Sequence, residues 1–155
     1  MADLPEFLRG RTDDRIALIA ESFERLTEKP LINRTADIVR GLWFAPSVIL
    51  AHGTEADPIF FFGNKAALDL FEMPPGDFLA LPSRLSAEAA ERGERARFMD
   101  RVARDGFVDD YSGIRISAGG RRFRIQNATV WNLIDAAGDI HGQAATFHHW
   151  TYLDA

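Results

Sequence analysis

Cysteine is absent from the 155 residues. Disulfides and thiolate metal ligands are therefore excluded, and so is a cysteinyl adduct with a flavin or another chromophore. Long hydrophobic runs are absent too. None approaches the roughly 20 residues of a membrane span, and the opening "MADLPEFLRGRTDDR" lacks the apolar segment of a secretory signal. The expectation is a cytoplasmic protein without a membrane partner. Positive charge is in deficit: 18 Lys and Arg against 23 Asp and Glu leave a net charge of −5. That balance argues against nucleic acid, or any broad phosphate surface, as the main partner. Catalytic signatures are missing, with no G-x-S-x-G elbow, H-E-x-x-H pair or Walker loop. No catalytic residue and no metal ligand is assigned.

What is present is ordinary globular chemistry, 46% hydrophobic and 26% charged. A chain of this length is most simply one domain with a substantial core. Twelve Phe and three Trp outweigh two Tyr, and this aromatic area can fill a core or wall a pocket. Residues 1–12 read as a flexible arm before a single domain at 13–155, with N-terminal helices at 13–45 and a core at 47–151. Asp13 or Asp14 caps a first helix with the apolar stripe Ile16, Ile19, Phe23 and Leu26, and Lys29-Pro30 ends it. Thr35 caps a second helix, with Ile38–Leu42 and Val39–Trp43 as i,i+4 pairs, and Pro46 stops it.

Ser47–His52 reads as a strand and "GTEADP" as a turn. Ile59–Phe62 is then a second strand, and Asn64 caps a short helix with Ala67, Leu68 and Phe71 facing inward. Ser83 or Ser86 caps a longer charged helix over Ser86–Asp105, with Ala96, Met99 and Ala103 inward, which ends near Asp105-Gly106. From Phe107 the pattern alternates. Gly119-Gly120 and Gly138-Asp139 mark hairpins, and the final segment "IHGQAATFHHWTYL" reads as one last strand.

This order resembles the PAS fold: α+β, a five-stranded antiparallel sheet with helices on one side, here preceded by an N-terminal helix pair. The strings "AHGTEADPIFFFGNKAALDLFE", "LPSRLSAE", "DDYSGIRISAGGRRFRIQNATVWNL" and "GQAATF" together resemble the MEKHLA-domain family, and they span roughly residues 13–150. It is a PAS-like group found as stand-alone bacterial proteins, the type expected here. It also forms the C-terminal domain of plant class III homeodomain-leucine zipper transcription factors. The literal string Met-Glu-Lys-His-Leu-Ala does not occur in this chain. Heme-binding PAS domains take the iron from a histidine on or beside the long helix. Ser86–Asp105 has none, so the resemblance implies no heme, and the cofactor stays unknown.

Site candidates follow from alternation. Phe60 and Phe62 share one face of their strand, with Ile59 and Phe61 on the other. Either both faces are core, or one walls a ligand cavity. A cavity would lie between the sheet and the helices at Asn64–Glu72 and Ser86–Asp105. Phe60, Phe62, Leu68, Phe71, Met99 and Trp131 would supply its apolar wall, and Arg115, Asn127 and Gln143 its polar groups. Arg115, Arg122 and Arg124 read as an ion-pair face toward Asp69, Glu72, Asp109 and Asp110, or as an anion pocket. Arg84 joins the pocket if its loop folds over it. His52 and Asp57 read as a turn pair. His148 and His149 are expected to point to opposite faces and so not to share a metal.

Three functions fit. One is a PAS-like sensory or small-ligand-binding module acting through dimerisation or a signalling partner protein. The second is a homo-oligomerisation or protein-interaction module with a filled core, using the Ile16–Leu26 stripe as its surface. The third is a small enzyme of the nuclear-transport-factor-like class, whose N-terminal helices would enter the concave face of the sheet.

Overall fold

The computed structural model describes Pro5, Leu8 and residues 14–33, 37–86 and 92–153, with the backbone alone at 14 and 92–96. Of the expected arm only Pro5 and Leu8 are described, and Leu8 is buried. Asp13, Thr35 and the first turn expected of the long helix lie outside the described residues.

Helix α1 (Asp14–Thr27) carries the expected stripe. Ile16 is 4% exposed and Ile19 0%, and Phe23 and Leu26 are half-buried against the same core, so the stripe packs within the molecule. Removing a side chain like Ile19 from water contributes about 2 kcal/mol. The helix stops as Thr27 Oγ1 donates to the Phe23 carbonyl (2.7 Å) and Glu28 turns to a φ of 61°. Helix α2 (Ile38–Trp43) is capped by Asp37, whose carboxylate accepts from the Arg40 N–H at 3.1 Å. A carboxylate at this position does the work assigned to Thr35.

Strands β1 (Val48–His52) and β2 (Phe60–Gly63) form a hairpin. Helix α3 (Lys65–Phe71), helix α4 (Pro75–Phe78) and a 3-10 turn at Ser83–Ser86 follow. Ser83 and Ser86 lie in that 3-10 turn, helix α5 is described over Arg92–Asp105, and the residues between them lie outside the described residues. Strands β3 (Phe107–Ile116), β4 (Arg122–Ile134), β5 (Ile140–Phe147) and β6 (His149–Tyr152) complete the chain. The antiparallel sheet runs β2-β1-β5-β4-β3. The expected single last strand is broken at His148, and its second part, β6, pairs with β4 at Phe123–Gln126.

The two faces of the sheet are covered differently. Helix α1 lies on one. The Trp131 indole N–H donates to the Ile19 carbonyl (3.1 Å), and Phe23 meets the Trp131 ring edge-on at 4.8 Å. Ser22 donates to the Ile134 carbonyl and accepts from its N–H, which ties the helix to the end of β4. Helices α3 and α5 lie on the opposite face, where Phe71 packs against Phe123 and Phe98 against Tyr111.

Asn64 joins the layers. Its side chain accepts from Ile49 N–H (3.1 Å) and Ala67 N–H (3.0 Å) and donates to the Leu42 (3.1 Å) and Ser47 (2.8 Å) carbonyls. The predicted α3 cap thus also satisfies backbone groups on β1, α2 and the loop between them.

Candidate functional site

Between the sheet and the α3–α5 side lies a cavity of about 50 Å³. A buried water needs about 10–15 Å³ of such space, so this holds about three to five waters. Its strand walls follow from register. Leu50 and His52 alternate on β1 and stand opposite Ala145 and Gln143 of β5, and all four line the cavity. Arg115 and Tyr111 contribute from β3, and Ile125, Ala128 and Val130 from β4. Phe71, Phe98 and the turn serines Ser83 and Ser86 close the helical side.

Breaks in the ladders decide which residues reach it. On β3, two residues separate Val108 from Tyr111 where β4 has one between Val130 and Ala128, and this puts Tyr111 on the cavity face. On β4, Ile125 opposes Gly113 and Ala128 opposes Tyr111, so β4 holds one extra residue there. Asn127 adopts a φ of 53° at this bulge and is exposed. The bulge lets Ile125 and Ala128 both face the cavity. On β2, Phe60 opposes His52 while Phe62 opposes Ala51, with a register shift between them. Opposed residues share a face and neighbours alternate, so Phe60 and Phe62 end on opposite faces.

Of the nine residues expected at the site, Phe60, Phe71, Arg115 and Gln143 line the cavity. Trp131 and Phe62 do not: they are fully buried on the far side, Trp131 against α1. Leu68 is buried in the main core, and Asn127 points to solvent at its bulge. Met99 sits beside the cluster of Phe98, Val102, Val108 and Val130. The inward face of α5 is thus Phe98 and Val102, and Ala103 is exposed. The i,i+4 pair Phe98–Val102 was available as a signal. Tyr111, Ser83 and Ser86 also line the cavity, and alternation does not place them there because each sits at a bulge or in a turn.

The polar wall is mostly engaged. His52 lies 2.9 Å from the Gly53 carbonyl through Nδ1; a carbonyl only accepts, so Nδ1 carries the proton. Gln143 donates to Asn132 (3.4 Å), which donates to the Val102 carbonyl (3.3 Å). Ser86 donates to the Ser83 carbonyl at 2.7 Å. The Arg115 guanidinium stands 5.7 Å from the centre of the Tyr111 ring, a cation–π distance.

The expected His52–Asp57 pair does not form. Asp57 accepts from Arg84 at 3.0 Å, an exposed ion pair between the β1–β2 loop and the 3-10 turn. The Ser83 N–H also donates to the Pro58 carbonyl (2.8 Å), so that turn is held over the cavity edge while Arg84 itself faces solvent. Glu55 has its carboxyl pulled below the ordinary range by backbone N–H groups, its own first and then that of Ile59. The expected arginine pairings are also redistributed: Asp110 takes Arg101, Asp69 takes Lys65, and Glu72 accepts from Ser117 and the Gly119 N–H. Lys65 is one helical turn from Asp69, and Arg101 reaches Asp110 from the helix that precedes its strand. The rings of His148 and His149 lie 4.2 Å apart because the strand breaks there. Among the described residues no group of three or more His, Cys, Asp or Glu could hold a metal ion.

An antiparallel sheet in this order, with the middle helices on its cavity face, defines a PAS-like α+β protein. Solved structures agree on the fold. The PAS domain of a Colwellia psychrerythraea protein superposes with a TM-score of 0.61 at 10% identity, covering 74% of this chain and 92% of its own. The light-state dimer of the fungal blue-light photoreceptor Vivid gives 0.64 at 11%, covering 92% and 98%. More specifically, the MEKHLA domain profile matches residues 13–152, and the chain belongs to that family. Relatives include the Arabidopsis thaliana homeobox-leucine zipper proteins ATHB-9, 29% identical over 121 residues, and REVOLUTA, 28% over 123. Each match covers 75% of this chain and 14% of the relative's length. No helix among the described residues is long and apolar enough to cross a membrane.

Proposed function

We propose that this chain is a PAS-like sensory module that takes a small ligand in the cavity between its sheet and α3–α5. The signal would pass across a homodimer or to a partner protein. The observation that carries this reading is the cavity itself, with an aromatic wall and a guanidinium, Arg115, set into it. Larger cofactors fit poorly. One of the similar structures is a light-oxygen-voltage domain described with a flavin analogue, at a TM-score of 0.59 and 13% identity. A space of about 50 Å³ does not admit a tricyclic flavin ring, and with no cysteine the chain cannot form a cysteinyl adduct.

The small size of the cavity favours one competitor, an interaction module whose core is effectively filled. The enzyme reading loses its structural basis: that fold needs the N-terminal helices on the cavity face, and α1 is on the other.

A thermal-unfolding screen of the purified protein against small metabolites separates the two remaining readings, with Ala145→Val as control because Ala145 lines the cavity. Under the sensory reading, at least one compound raises the wild-type midpoint and leaves the variant unmoved. A filled-core module would show no hit, and added methyl groups would cost about 1–3 kcal/mol by overpacking.

A further inference from the structure

Two histidines stand side by side at the break between β5 and β6. Alternation along an unbroken strand would send His148 and His149 to opposite faces. The chain bends at His148 instead. Both residues are exposed, with ring centres 4.2 Å apart and ring planes at 52° to one another. The backbone on either side is fixed. Phe147 pairs with Val48 on β1 and His149 with Gln126 on β4, and the Phe147 ring meets Trp150 edge-on at 6.0 Å across the bend. Among the described residues neither imidazole makes a hydrogen bond or an ion pair. The other two histidines differ: His141 is held by Asp135, and His52 by the Gly53 carbonyl.

Two unengaged imidazoles on a fixed bend form a chelate for a transition-metal ion. A ring nitrogen about 2.0–2.1 Å from a metal puts its ring centre about 3.2 Å away, so two ring centres stand about 4.5 Å apart at adjacent corners of a square and about 5.2 Å at tetrahedral corners. The observed 4.2 Å is nearer the square. Tetragonal coordination by nitrogen and oxygen is the habit of Cu²⁺ and Ni²⁺, and Cu²⁺ also heads the affinity order of the divalent ions. The net charge of −5 favours a cation at the surface.

We infer that His148 and His149 bind one tetragonal divalent ion, Cu²⁺ or Ni²⁺, through one nitrogen each in adjacent positions, with water at the remaining corners. Neither histidine is among the described residues that line the cavity, so this site is separate and does not rest on the sensory reading.

The test uses the metal ions alone with the full chain. Substoichiometric Cu²⁺ should broaden first the amides of His148, His149 and Trp150 and that of Gln126 across the ladder. Calorimetry should give one ion per chain for Cu²⁺ and for Ni²⁺, with Zn²⁺ bound no more tightly than Ni²⁺. His148→Gln and His149→Gln should each weaken Cu²⁺ binding by about a hundredfold, because each gives up the effective concentration that joining two ligands supplies. His141→Gln should leave binding unchanged. Unshifted amides away from the bend show that each variant is folded. Wild-type affinity in either His148→Gln or His149→Gln would overturn the site, and so would broadening centred elsewhere. Tighter binding of Zn²⁺ than of Ni²⁺ would overturn the square arrangement.

Discussion

At the scale of single residues, Asn64 concentrates the most consequence. It is fully buried and makes four hydrogen bonds, two as acceptor and two as donor. Substitution by Ala strands two buried N–H groups and two carbonyls. We expect Asn64→Ala to lose about 2–4 kcal/mol in urea unfolding, since each orphaned buried group costs about 1–3 kcal/mol before relaxation. A loss within 0.5 kcal/mol of zero, on the order of a surface change, would show that water replaces the amide. Asp135 makes a different kind of prediction. Its carboxylate takes the His141 ring at 2.8 Å and the backbone N–H groups of Asp139 and Ala137, and these lower its pKa from 3.8. The His141 contact is the largest cause. A lowered folded-state pKa means stabilisation that is present above 3.8 and fades as pH falls below it. Amide exchange at Ala137 and Asp139, after correction for its intrinsic pH dependence, should therefore accelerate on acidification through that range. Asp135→Asn should show no such step.

At the scale of elements, bulges separate what the sequence shows from what the structure contains. Both long strands after Gly106 are legible from alternation, and the hairpin glycines mark their ends. The faces are not legible, because alternation assumes an uninterrupted ladder and β4 carries its extra residue at Asn127. Tracing parity back from Trp131 puts Ile125 on the α1 side; the bulge returns it to the cavity. The same fault on β2 separated Phe60 from Phe62. Helix α1 fared better, since a stripe at three- and four-residue spacing has one face whichever partner covers it. Its partner was the open point, and Trp131 and Ile134 of β4 fill that role. Deleting Gln126 together with Asn127 should abolish cooperative unfolding, because it removes one residue more than the bulge supplies, and the resulting one-residue slip turns Phe123 and Ile125 outward. Asn127→Gly should stay within about 1 kcal/mol of wild type, since glycine accepts a positive φ without strain. A stable deletion variant with native chemical shifts at Trp131 and Ile125 would contradict this account of the register.

At the scale of the whole molecule, the two faces of the sheet have separate tasks. One is covered by α1, whose stripe packs its Ile16 and Ile19 fully and its Phe23 and Leu26 partly into the core. The other keeps the small cavity, lined on its helical side by α3, the 3-10 turn and α5. The order of elements made the PAS-like architecture readable, because sheet topology follows from strand count and the placement of the middle helices. The cavity was not readable, since its walls depend on bulges in β2, β3 and β4 and on a turn. The central claim, that this space is a binding site, is tested most directly by native mass spectrometry of the freshly purified protein beside Ala145→Val. The account predicts a population heavier than the bare chain by one small molecule in the wild type, lost in the variant. Bare mass in both proteins would mean that the space is plain core.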